Sequence, residues 1–118
     1  MIDLCPYVKQ ALVGICPNVY FYYPASFEAL PAISYFDSGN AADDGSDLLT
    51  KLSFQVDVWA RTVPDCKALV VTADAAMRSL GMRRAVSHMK SDSSGYICET
   101  MTFEGSYNSL DGKIYSQK

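Results

Sequence analysis

Leu52, Phe54, Val56, Val58 and Ala60 alternate without a break with Ser53, Gln55, Asp57, Trp59 and Arg61. Successive side chains on a strand point to opposite faces, so this run predicts a half-buried β-strand over residues 50–61 with one wholly apolar face. Five apolar side chains on one side need a covering layer, which the rest of the chain has to supply. With 118 residues, 49% of them apolar, there is material for one core and not for two.

The cover is legible on both sides of the strand. Leu4, Val8, Ala11, Leu12 and Ile15 recur at helical spacing behind Asp3, a natural N-cap, and Pro17 closes the run, which predicts a helix over residues 3–15. Thr62, with Pro64 in the first turn and Asp65 three residues on, opens a second helix that carries Leu69, Ala73, Ala76 and Leu80 and stops at Gly81. Val19–Tyr23 and Pro31–Phe36 are β-branched and aromatic runs bounded by proline, and they predict edge strands. Residues 37–50, with Gly39, Gly45 and four aspartates, predict a projecting loop. Met82–Met89 and Tyr96–Phe103 predict a hairpin about a turn near Ser93. The expected fold is α+β in the order α-β-β-β-α-β-β, with two helices on one face of a largely antiparallel sheet. Residues 1–105 form the domain, and 106–118 are expected to be a loose C-terminal arm.

Charge and cysteine content narrow the function classes. The net charge is −3, against the basic footprint of a protein that grips phosphates. The charge is also polarised: residues 1–60 are acidic on balance and 61–118 slightly basic, as a subunit docking head-to-tail on its own copy requires. Cys5, Cys16, Cys66 and Cys98 form no C-x-x-C pair, which signals neither a zinc knuckle nor a disulfide scaffold and favours a reducing compartment. The first residues lack a basic segment followed by an apolar one, and no apolar run is long enough to span a bilayer, so neither export by a standard signal nor membrane embedding is expected.

The catalytic inventory is thin. His88 is the only histidine, and a turn centred near Ser93 would bring it opposite Cys98, the one pairing a thiol enzyme could use. Asp43, Asp44 and Asp47 lack the ligand order of a calcium loop, so no metal and no cofactor is expected. With Asp37 they make an acidic loop that is either a solvated face or a surface past which DNA must slide without sticking. Trp59, in line with Gln55 and Asp57 on the polar side of the strand, needs a cover: a helix, the terminal arm or a partner subunit. Arg83 and Arg84 are adjacent on a strand and therefore point to opposite faces.

These features in this order resemble the small tail-completion, or tail-terminator, proteins of long-tailed bacteriophages. The resemblance runs over residues 3–104: the N-terminal helix, Leu30-Pro31-Ala32-Ile33-Ser34-Tyr35, the acidic loop, Ser53-Phe54-Gln55-Val56-Asp57-Val58-Trp59-Ala60, the helix end Met77-Arg78-Ser79-Leu80-Gly81-Met82-Arg83-Arg84, and the closing strand Tyr96–Phe103. It implies a structural virion protein without enzymatic activity, assembled in the host bacterial cytoplasm and resident in the tail or neck. Such proteins form rings, commonly hexameric, that cap the tail tube, end its polymerisation and join tail to head. The partners implied are its own copies, the tail-tube protein and a head-completion or neck protein, with DNA passing through the lumen. Gln55, Asp57, Trp59, Arg83 and Arg84 are then the expected subunit contacts, and Asp37, Asp43, Asp44 and Asp47 face the lumen or a stacked ring. A head-completion adaptor between portal and tail is the nearest alternative reading. A monomeric enzyme using Cys98 and His88 and a generic ligand-binding domain are the distant ones.

Overall fold

In the computed structural model, which describes residues 3–42, 48–91 and 95–116, the alternating run is the centre of a six-stranded sheet. In chain order the elements are α1 (Cys5–Val13), β1 (Val19–Phe21), β2 (Ala32–Ala42), β3 (Leu49–Ala60), α2 (Val63–Ser79), β4 (Arg83–Ser91), β5 (Ile97–Asn108) and β6 (Lys113–Tyr115). The strands lie side by side as β1-β2-β3-β5-β4, with β6 on the far end of β5 beyond β4. Every pairing is antiparallel except β1 with β2, which is parallel. The fold is α+β in the expected order, with one extra strand at the end.

The register shows why one face is dry. Val58 lies opposite Ile33, Val56 opposite Tyr35 and Met101, and Phe54 opposite Phe103. These rows pack under α1 through Leu4, Val8 and Leu12 and under α2 through Cys66, Val70, Ala73 and Met77, all buried in one cluster. At roughly 1.5–3 kcal/mol for each large side chain removed from water, this layer is the main source of stability. Asp3 is not the N-cap of α1, a place that Leu4 takes, although its Oδ1 accepts from Cys5 N at 3.0 Å; Thr62 does cap α2, its Oγ1 accepting from Asp65 N at 3.3 Å. Gly81 adopts φ +102°, the left-handed conformation expected of a glycine that ends a helix.

Three of the strand expectations change. β1 is an edge as expected, but β2 is not, because it pairs with β1 on one side and with β3 on the other. Residues 37–42 do not leave the sheet as a loop. They continue β2 along β3 as far as the pair Ala42 and Thr50, with the irregularity absorbed in a bulge between Asp37 and Gly39. Ladder hydrogen bonds to an already fixed strand outweigh weak local propensity there. The end of the chain is not a loose arm: Ser106–Asn108 extend β5, and β6 folds back on it, Tyr107 opposite Ile114. Asn108 Oδ1 and Asp111 Oδ1 accept from Leu110 N and Lys113 N, which organises the intervening turn.

One ionised group is held inside the helix-covered layer. Glu99 is in phase with Met101 and Phe103 and is buried. Its carboxylate accepts from Lys67 Nζ at 2.7 Å and Ser87 Oγ at 2.6 Å. Burial raises its pKa, but the two hydrogen bonds and the charges of Lys67 and Arg84 outweigh this and hold it below the usual 4.5. A depressed folded-state pKa contributes stability that is present above 4.5 and lost as the pH falls through the folded value. Glu99→Gln should therefore flatten the acid limb below pH 4.5 in urea midpoints measured from pH 6 to 3. An unchanged acid limb would show that Glu99 does not carry this dependence.

Candidate functional site

Among the described residues, the other face of the sheet carries no helix. Its rows, read across β2, β3, β5 and β4, are Ala32, Trp59, Cys98 and Lys90; then Ser34, Asp57, Thr100 and His88; then Phe36, Gln55, Thr102 and Val86. The irregular segment 22–31 between β1 and β2 crosses one end of this face. Tyr23 and Phe27 meet the Trp59 ring edge-on at 5.5 and 5.1 Å, and Phe27 stacks on Tyr96 at 5.0 Å, with the Arg61 guanidinium 5.9 Å from the Tyr96 ring centre. Trp59 Nε1 donates to Ser34 Oγ at 3.0 Å, which satisfies both buried polar groups. The cover for Trp59 is therefore this segment, not a second helix, the terminal arm or a neighbour.

Where the segment ends, the face opens into a groove of about 290 Å³. Its walls are Tyr22, Tyr23, Phe36 and Trp59, its floor Gln55, Asp57, Cys98 and Thr100, and Lys90 reaches one rim. Asp57 is only 7% exposed, and among the described residues its carboxylate accepts hydrogen bonds from Gln55 Nε2 alone, at 3.2 and 3.1 Å. Tyr22 is 65% exposed and stands edge-on to Phe36 at 5.2 Å. Its φ of +74° is a left-handed conformation that costs a bulky side chain on the order of 1–3 kcal/mol, and such strain concentrates at working surfaces. A larger cavity of about 430 Å³ between α1, the end of α2 and β6 has Lys113 as its only charged wall residue.

The sequence-predicted residues are dispersed. Gln55, Asp57 and Trp59 share the groove, whereas Arg83 and Arg84 point to opposite faces, as strand geometry requires. Arg83 pairs with Glu104 at 3.2 Å on the open face, and Arg84 pairs with Asp74 of α2 at 3.2 Å on the covered one. Asp37 is exposed at the β2 bulge, and Asp43, Asp44 and Asp47 lie outside the described residues. Cys98 and His88 are not opposite one another: the β4–β5 turn is centred one residue later than expected, so Cys98 faces Lys90 and His88 faces Thr100. Burial, and then the charge of Asp57, push the Cys98 thiol up to about 11, which keeps it protonated at neutral pH and unsuited to nucleophilic attack. Tyr22, Tyr23, Phe27, Phe36 and Tyr96 were not singled out from sequence. The only available signal was the density of aromatic residues in Tyr20-Phe21-Tyr22-Tyr23 and Phe27.

Among the described residues no three His, Cys, Asp or Glu side chains gather where a metal ion could sit. None of the described helices is long and apolar enough to cross a membrane. Compared with the models of known protein families and with curated proteins, the sequence matches none.

Proposed function

We propose that this chain is a structural subunit of a phage tail: a ring-forming terminator that caps the tail tube, ends its growth and joins it to the head. The observation that carries the reading is the half-covered sheet. One face is closed by α1 and α2, while the other presents exposed Val86, Tyr22 and Tyr23 around buried polar groups, a surface built to be covered by other protein. The charge polarity between the two halves of the sequence suits head-to-tail contacts of the kind that close a ring. Arg83 and Glu104, each about two-fifths exposed, lie on the same face, where a neighbouring copy could exchange partners with them.

The test is the absolute mass of the purified protein by light scattering, alone and with tail-tube protein, with negative-stain images of the same samples. Closed rings of about six subunits on tube ends support the reading. A strict monomer that ignores tubes overturns it, and binding to portal instead of tube would favour the head-completion adaptor. In this reading Asp43, Asp44 and Asp47 face the lumen or an adjoining ring. Changing all three to Asn should leave the melting temperature within a few degrees and reduce the yield of joined, infectious particles. Normal infectivity would remove that role.

A further inference from the structure

We infer that the groove on the open face is a binding site for an arginine side chain presented by a different polypeptide. The argument begins with Asp57. A carboxylate this deeply buried ordinarily has a cation or several donors. Here, among the described residues, one amide serves both oxygens and no Lys or Arg nitrogen lies within ion-pairing distance. Asp57 lines a slot that Tyr22, Tyr23, Phe36 and Trp59 also line. A planar cation satisfies both halves of that surface, because its edge can donate to the carboxylate while its face lies on an aromatic ring. Guanidinium fits this description better than ammonium, being flat, more weakly hydrated and able to donate two parallel hydrogen bonds.

Charge complementarity also indicates the source. The chain has four arginines, and all are engaged: Arg61 over Tyr96, Arg78 and Arg84 on Asp74, and Arg83 on Glu104. A second copy would have to break one of these contacts to offer an arginine, a cost that an arginine of another protein does not carry, and the guest is assigned to another protein. Lys90 at the rim is solvent-exposed, so water and salt screen its repulsion more than they screen the attraction of the buried carboxylate. Tyr22, held at a positive φ and standing clear of the core, is the wall that closes over the guest. The site does not depend on ring formation and would operate in a monomer.

Trp59 is the only tryptophan and forms one wall, so its fluorescence reports occupancy directly. The probe is N-acetyl-arginine amide, with N-acetyl-citrulline amide as its uncharged shape match. A saturable fluorescence change is expected with the arginine probe, at least tenfold weaker with the citrulline probe and at least tenfold weaker in Asp57→Asn. Tyr22→Gly, which removes an exposed side chain and suits the positive φ, should keep the fold and weaken binding several-fold. That variant carries the test if Asp57→Asn fails to fold. Equal responses to the two probes, the absence of saturation, or undiminished binding in the folded variants would overturn the inference.

Discussion

Trp59→Ala should cost about 3–5 kcal/mol of folding stability, the range for truncating a large buried aromatic residue. The size follows from what the indole holds. It is 8% exposed, meets Tyr23 and Phe27 edge-on, and through Phe27 supports the stacked Tyr96. Each such aromatic pair contributes about 0.5–1.5 kcal/mol beyond the area it buries. Its Nε1 also satisfies Ser34 Oγ, which is wholly buried and would lose that partner. Domains of this size have about 5–15 kcal/mol in total, so the variant should lose a large share of its guanidinium midpoint and its near-ultraviolet dichroism. Trp59→Phe, which keeps the ring contacts but not the donor, should lose markedly less. A cost for Trp59→Ala below about 1 kcal/mol would mean that segment 22–31 does not rest on this residue. The expectation also changes what an assembly defect in Trp59→Ala would mean: with the indole covered by its own chain, such a defect reports a damaged groove and not a missing subunit contact. Exposed Val86 is the sounder residue for probing that contact.

The parts of this molecule that were legible in the sequence are those governed by local periodicity. The period-two run of β3, the helical stripe of α1, the Thr62 cap and the Gly81 stop all reflect interactions within a few residues, and each is found where it was read, whereas the buried stripe of α2 is Cys66, Val70, Ala73 and Met77, with Leu69, Ala76 and Leu80 only half-buried beside it. What escaped depends on pairing with distant segments. Residues 37–42 are locally loop-like and become strand only because β3 lies beside them. Lys113–Tyr115 become a strand because the end of β5 extends past β4 and offers a free edge. The Cys98–His88 juxtaposition failed through a single residue of turn placement, which moves every pair across a hairpin by two. For the site, the alternation gave the face on which Gln55, Asp57 and Trp59 sit, and the anomaly of a tryptophan there was a true signal of a cover. Its source was not readable, because segment 22–31 has no period and reaches Trp59 only through tertiary packing. Glu99 left a trace that a stricter reading uses: a carboxylate in the inward phase of an apolar strand needs a partner, here Lys67.

Gly81→Ala should destabilise the protein by about 2–4 kcal/mol and do so through β6. The glycine sits at φ +102°, a conformation that costs an L-residue with a side chain about 1–2 kcal/mol by itself. In addition, a Cβ there would lie 2.2 Å from the carbonyl oxygen of Ile114, a backbone atom that can move only if the strand moves. Gly105 approaches the same residue from the sheet side, but its added Cβ would meet the Ile114 Cγ2 methyl at 2.7 Å, a side-chain atom. The two substitutions therefore have different remedies. Ile114→Ala should recover most of the stability lost in Gly105→Ala, because it deletes the clashing methyl. It should recover little in Gly81→Ala, because the clashing carbonyl remains. Hydrogen exchange locates the effect: in Gly81→Ala the amides that tie β6 to Ser106–Asn108 should lose protection while those between β3 and β5 along residues 97–104 keep theirs. Equal rescue of both glycine variants by Ile114→Ala, or retained protection in β6, would mean that the strand is not seated on Gly81.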